Sequence, residues 1–291
     1  MTATEVFFLR RTFLLAALVA LVAAPRSFAA VSFIKSVSLA QKIAKDKKQL
    51  IFVDMFAQWC GWCHRFEADV VPSEPFQKAT EDMVMLRLDT EDGADGTKFA
   101  QRYQIATLPT FLILNPDGSI VGLIRGYAPA AEFAKMIGDT LKKDQDFRKL
   151  VKSESSYAKD YQKRLDLARE FRFRQSYIES EPRFKKLVAE KGVPEPVRDQ
   201  AFYELGIVYL YQGKYADVLN TINQFSKVQT RGESFERARL LASDVCLAQG
   251  NLRCAAAELK NFKQKFPNSP LIPNVDMMLP SIERQLEPIK Q

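Results

Sequence analysis

Gln49-Leu-Ile-Phe-Val-Asp-Met-Phe-Ala-Gln-Trp-Cys-Gly-Trp-Cys63 decides the fold of this 291-residue chain. Its first part, Gln49 to Ala57, is an apolar run holding a single acid, Asp54, and reads as a buried strand. Two thiols follow, three residues apart, so the spacing predicts a helix that opens at the first of them and places both on one face. A cysteine there meets unpaired backbone N–H groups and the positive end of the helix dipole, which favour thiolate over thiol. Cys60 is therefore the expected nucleophile. Cys63, deeper on the same face, is the thiol expected to resolve a mixed disulfide formed on Cys60.

Two other chemistries suit a Cys-x-x-Cys pair. Zinc needs four ligands, and the remaining candidates are His64, the sole histidine, with Cys246 and Cys254 far down the chain. A purely structural disulfide would close so short a loop that it removes little chain entropy. Redox chemistry is the better reading, and neither a metal nor a cofactor is expected.

Phe52-Val-Asp-Met-Phe-Ala-Gln-Trp-Cys-Gly-Trp-Cys63, followed by Thr107-Leu-Pro-Thr-Phe-Leu-Ile-Leu-Asn-Pro-Asp-Gly118 and Gly126, resembles the thioredoxin superfamily across roughly residues 31–143. Cys63-His-Arg-Phe-Glu67 and Val71-Pro-Ser-Glu-Pro-Phe76 are most similar to the C-terminal, periplasmic thioredoxin domain of the membrane reductase DsbD and its soluble relatives. Trp62 departs from the proline of ordinary thioredoxins, and His64 from their lysine. The resemblance implies a central mixed sheet flanked by helices. It matches Asp54 to the buried acid that exchanges a proton with the resolving thiol, with a pKa raised by burial. Glu67 matches a second carboxylate, whose charge near Cys60 would oppose thiolate formation until a partner covers the site; a solvated helix residue is the alternative. Leu108-Pro109 matches a cis-proline loop that leaves the Leu108 backbone free to pair with an extended substrate.

Trp59 and Trp62 read as an apolar rim for gripping a client, although Trp59 also suits partly buried packing. His64 has at most a tuning role. The activity implied is protein-disulfide reduction or thiol:disulfide interchange, acting on disulfide- or thiol-containing proteins and recharged by a redox partner such as a membrane electron donor. A disulfide oxidase or isomerase is the rival within that chemistry. From another class, the rival is an envelope assembly scaffold that uses the same unit as a binding module.

Residues 1–29 read as an export leader: Arg10 and Arg11, an apolar stretch from Thr12 to Ala24, then Ser27-Phe28-Ala29 with small residues where a signal peptidase reads. Arg10-Arg11-Thr12-Phe13-Leu14-Leu15 resembles a twin-arginine signal, except that Leu9 and Leu15 depart from its polar flanks; an ordinary leader also carries two arginines. The apolar stretch is short for a bilayer span, so a soluble periplasmic or otherwise exported protein is expected.

Two further domains are expected, a thioredoxin-like one at 30–148 and an all-α repeat domain at 149–291. The first carries 15 positive and 16 negative side chains and the second 24 and 18, so the basic excess lies in the second. It is spread over helical faces, which gives no ground for a nucleic-acid partner. The first domain should run helix 37–47, strand 50–56, the Cys60 helix, strand 83–88, an exposed acidic loop 89–96, helix 97–103, a hairpin turning at 115–118, and helix 129–143.

In the second domain, Leu205-Gly206, Tyr209, Gly213, Tyr215 and Val218 fall at tetratricopeptide (TPR) offsets, and Ala242, Cys246, Gly250, Leu252, Ala255, Phe262 and Pro267 form a second unit. A degenerate unit is expected at 161–189 and a capping helix at 277–286. Stacked helix pairs make a groove for a partner, with Tyr203, Tyr209 and Tyr211 as aromatic surface; bracing or dimerisation is the plainer role. Cys246 and Cys254 flank the Gly250 turn, either bridged or packed as small buried residues.

Overall fold

The computed structural model describes residues 31–286, so the expected leader lies outside the described residues. Four strands form one sheet in the order β2-β1-β3-β4: β1 Leu50–Phe56, β2 Met83–Asp89, β3 Thr110–Leu114 and β4 Ile120–Arg125. β1 and β2 are parallel, and the other pairs antiparallel. The outer edge of β2 is covered by Ile34, which accepts from the Arg87 N–H (2.9 Å) and donates to the Met85 carbonyl (2.8 Å).

Alternation along β1 sends Ile51, Val53 and Met55 to one face and Phe52 and Asp54 to the other. The first face is covered by α1 (Val37–Lys47), capped by Ser36, and by α4 (Asp95–Arg102). Across the second lie α2 (Gly61–Asp69), α3 (Glu74–Thr80) and α5 (Ala130–Lys152). There Phe52, Phe66, Phe76, Phe111 and Phe133 are fully buried against one another, with Phe66 and Phe111 centroids 4.3 Å apart. Each such ring contributes about 1.5–3 kcal/mol, which fixes α2 on the sheet. Where β4 meets α5, a Cβ at Gly122 would lie 2.0 Å from Thr140 Cγ2, so any side chain there would force Thr140 to shift.

Two elements differ from expectation. α3 was not foreseen from the residues; Ser73 caps it, its hydroxyl accepting from the Phe76 N–H, and Pro75 suits its first turn. The closing helix was expected to stop at Lys143 but runs to Lys152, so position 148, the expected domain boundary, lies inside it. Buried Asp144 explains the extension: its carboxylate accepts from Arg148 Nε (2.6 Å) and from Arg174 Nη1 of the second half (2.6 Å).

After a 3-10 turn at Glu154–Tyr157, the second half is α6 (Tyr161–Phe173), α7 (Tyr177–Ala189), α8 (Glu195–Tyr211), α9 (Tyr215–Val228), α10 (Glu233–Ala248), α11 (Leu252–Lys265) and α12 (Ile272–Leu286). Each of these helices from α6 to α12 packs on the next, and α8 also packs on α6 and α10. Gly213 and Gly250 end α8 and α10 in the same left-handed conformation, φ 70° in both. The last helix begins at Ile272, ahead of the expected Met277. Tyr209 is buried in the helical core instead of facing a groove, and Tyr211 stacks on Tyr177 while its hydroxyl accepts from Gln104.

The helical half docks at one end of the sheet. The Ile120 N–H, at the start of β4, donates to the Arg174 carbonyl (2.7 Å), and the Arg174 guanidinium lies over Phe147. Ile120 pairs with Leu114, which pairs with Ile51 at the start of β1, whereas Cys60 follows the far end of β1. The length of that strand, roughly 20 Å, separates the junction from the cysteines.

Candidate active site

Cys60 is the N-cap of α2, and its Sγ lies 3.2 Å from the Cys63 N–H that it accepts from. The sulfur thus occupies the place of a capping oxygen and meets the unpaired first turn of the helix. Cys60 and Cys63 are joined in a disulfide, Cα–Cα 5.3 Å, and pack with Ala57, Phe56 and Leu108. A Cβ built on Gly61 would meet nothing within 4 Å, while Cys60 and Cys63 themselves are 4% and 1% exposed.

Asp54 lies on the sheet face that α2 covers, fully buried, and neither carboxylate oxygen has a hydrogen bond. Parallel register places Arg87 beside it. Arg87 Nε is 3.3 Å from Asp54 Oδ2 but not aligned to donate, which is how an ion-pair distance coexists with an unbonded carboxylate. Nη1 of the same guanidinium contacts Glu67 Oε1 at 2.5 Å, and the group lies over Phe56 with 4.3 Å to the centroid. Burial pushes Asp54 up to about 7; Arg87 pulls against that rise and Glu67 adds to it. Glu67 moves the other way, its hydrogen bond with Arg87 holding the carboxyl below its usual range. Arg87 thus ties Glu67 to the buried Asp54.

Trp59 and Trp62 are 69% and 55% exposed on either side of Cys60. Trp59 Nε1 donates to Glu91 Oε1 (2.9 Å), so the acidic loop holds this ring. Trp62 packs on Tyr127, 5.3 Å between centroids, with the Arg65 guanidinium over both rings and paired to Asp69. His64 Nε2 donates to the Gln58 carbonyl at 2.8 Å, which directs the ring at the preceding loop. The Leu108–Pro109 peptide is cis, and Leu108 packs against the cysteines. Among the described residues no backbone hydrogen bond uses the Leu108 N–H or carbonyl.

Arg87, Tyr127 and Glu91 were missed in the sequence. Arg87 had a signal: a lone cation inside Met83-Val-Met-Leu-Arg-Leu-Asp89 mirrors the lone acid of β1, and neighbouring strands invite the pairing. Tyr127 had only its place beside Gly126. Glu91 had none, because its contact depends on how the loop folds back. Cys246 and Cys254 are joined in a second disulfide, Cα–Cα 5.6 Å, far along the helical half.

Residues 37–141 match the family model for a thioredoxin-like domain. The chain is 36% identical over 77 residues to the thiol:disulfide interchange protein DsbD of Pseudomonas fluorescens, covering 26% of this chain and 13% of that protein. To DsbD of Colwellia psychrerythraea it is 33% identical over 120 residues, 38% of this chain and 20% of the relative. The chain therefore spans a fifth or less of these relatives' length. Among solved structures it is similar to the DsbH oxidoreductase (TM-score 0.37, 16% identity, 42% of this chain and 92% of that one). The oxidised C-terminal domain of Neisseria meningitidis DsbD is similar too, with TM-score 0.33 and 15% identity over 38% of this chain and 99% of that one.

Proposed function

We propose that this chain, whose residues 37–141 form a thioredoxin-like domain, is a thiol:disulfide oxidoreductase that exchanges disulfides with protein substrates through Cys60 and Cys63. One observation carries the reading: the disulfide caps α2 on the sheet face that holds a buried, unbonded carboxyl titrating near neutrality. In the reducing direction the Cys60 thiolate attacks a client disulfide, forming a Cys60–client bond and releasing one client thiolate. The Cys63 thiol gives its proton to Asp54 and attacks Cys60 Sγ, releasing the second client thiolate and leaving the Cys60–Cys63 disulfide. Two electrons pass to the client, and an external dithiol donor must return them. The same steps reversed oxidise a client, and the reduction potential of the pair sets the direction.

The unused Leu108 backbone offers pairing to an extended client segment, and Trp59, Trp62 and Tyr127 offer it an apolar bed. The expected leader and the two disulfides favour an oxidising, periplasmic compartment. The helical half is read as a TPR-like docking element for a client or partner. Insulin reduction by the full chain tests the enzymatic reading against a scaffold: turnover is expected from wild type and none from Cys60→Ser. Cys63→Ser should accumulate a mixed disulfide on Cys60. Absence of turnover in the wild type across a range of donor potentials would leave only a binding module.

A further inference from the structure

Between its two cysteines α2 carries Trp62, and the helix does not need this ring for packing. Cys63 and Phe66 are the residues that α2 sends inward, whereas Trp62 stays 55% exposed on the outer surface. The ring is nevertheless held. It lies on Tyr127, with 5.3 Å between centroids and 31° between planes, and the Arg65 guanidinium covers both rings at 5.7 and 5.4 Å. One atom anchors the group: Asp69 Oδ2 accepts from Arg65 Nε (3.1 Å) and from the Tyr127 hydroxyl (3.3 Å).

An exposed i,i+4 ion pair such as Arg65–Asp69 adds only about 0.3–0.5 kcal/mol to a helix, so stability alone gives little reason for this assembly. Its place gives a better one. The Gly126 N–H donates to the Pro109 carbonyl at 2.9 Å, which sets Tyr127 beside the cis-proline loop, while Trp62 belongs to the cysteine helix. The paired rings therefore bridge the two elements between which a client segment must lie. Cys60 is only 4% exposed, so a client sulfur that reaches it brings its neighbouring side chains down onto the rim. Trp59, on the other side, is held differently, at its edge by Glu91.

We propose that Trp62 and Tyr127 form a preformed specificity subsite for an aromatic side chain next to the client's cysteine, with Arg65 and Asp69 as its positioning residues. Rings fixed before binding lose little entropy on contact, and a third ring can stack on them. The guanidinium already on the pair disfavours a cationic side chain there. The inference rests on the oxidoreductase reading and names the client residue that the site selects.

The test loads the full-length Cys63→Ser chain with glutathione on Cys60 and equilibrates it with seven-residue glycine-serine peptides carrying a central cysteine. The peptide thiolate attacks Cys60 Sγ; the Cys60–peptide bond forms as the Cys60–glutathione bond breaks, and glutathione leaves as thiolate. Mass spectrometry reads the ratio of the two adducts. Phenylalanine placed at each of the four positions nearest the peptide cysteine should, at one of them, displace glutathione about tenfold better than alanine, with lysine no better than alanine. Tyr127→Ala should remove the preference and Asp69→Ala should reduce it to about threefold. Asp139→Ala, which deletes an equally exposed i,i+4 pair with Lys135 on α5, should leave it unchanged. Equal exchange of the phenylalanine and alanine peptides, a lysine peptide matching phenylalanine, or a preference that survives Tyr127→Ala would each overturn the subsite. A preference untouched by Asp69→Ala would overturn the positioning role. A Cys60 that exchanges with no peptide would defeat the oxidoreductase reading and this inference with it, whereas unselective exchange defeats this inference alone.

Discussion

The two disulfides have nearly the same Cα separation, 5.3 and 5.6 Å, and both lie at the start of a helix, yet their surroundings differ. At α2 the sulfur of Cys60 is itself the cap and accepts from the Cys63 N–H. At α11 the cap is Asn251, whose side chain accepts from the Cys254 N–H at 3.0 Å, so the helix terminus is satisfied before a thiolate forms. Cys60 is flanked by exposed tryptophans and an open Gly61, and an unbonded carboxyl lies on the face beneath its helix. Cys60 and Cys246 are themselves buried alike, at 4% and 5% exposure, and Cys246 packs with Ala255, Leu259 and Phe262. The two sites therefore differ in what caps the helix and in the exposed rings beside the sulfur, and a bridge across a packed hairpin restrains the unfolded chain.

The largest expected effects separate these roles. Cys60→Ser with Cys63→Ser should lower insulin reduction to the uncatalysed level. Cys246→Ser with Cys254→Ser should leave turnover within about twofold and lower stability by about 2–3 kcal/mol, the loop entropy of a short bridge, measured by urea unfolding under oxidising conditions. A loss of turnover in the second pair comparable to that in the first would erase the distinction.

Asp54→Asn comes next. Its folded pKa of about 7 lies above the model-peptide value of 3.8, so between those values the folded chain holds a proton the unfolded chain has lost. Stability should therefore fall as pH rises through that window, by about 4 kcal/mol at most. Asp54→Asn should remove this dependence, melting close to wild type at pH 4 and well above it at pH 8. Resolution of the mixed disulfide should slow about a hundredfold, since proton transfer from Cys63 loses its acceptor. Wild-type resolution rates with a higher melting point would confine Asp54 to an electrostatic burden without a chemical role.

The residues legible in the sequence are those whose role is local. The apolar run with one acid, the helix opening at Cys60, the Asn115–Gly118 turn and the glycines closing α8 and α10 all state their structure within a few neighbours. The structure packs Leu108 against the cysteines and buries Asp54 on the sheet face that α2 covers. What was hidden depends on register or docking. Arg87 meets Asp54 only because β1 and β2 are parallel with those positions opposed, and Glu67 meets Arg87 only because α2 lies across that face. The closing helix outran its expected end because Asp144 is satisfied by Arg174, thirty positions further on and in the other half. Tyr209 and Tyr211 have the same composition signal, but one fills the core and the other meets Gln104 at the junction.

The smallest effect is the most discriminating, because it tests whether Arg87 sets the balance at Asp54. Arg87 lowers the Asp54 pKa and Glu67 raises it, so removing each should move the pH midpoint of the resolution step in opposite directions. Arg87→Met should shift it upward by about one unit, with Arg87→Lys restoring part of the shift through its retained charge. Glu67→Gln should shift it downward by less than that, since Glu67 is half exposed and solvent screens it, while the released guanidinium turns more fully to Asp54. Both midpoints are read from the rate of mixed-disulfide resolution against pH, with the Asp54 carboxyl followed by NMR. The alternative, in which Glu67 acts on the nucleophile itself, makes a different demand: Glu67→Gln would then lower the pH at which Cys60 alkylates and leave the Asp54 midpoint in place. A shift confined to Cys60 would sever the tie drawn here between Glu67, Arg87 and Asp54.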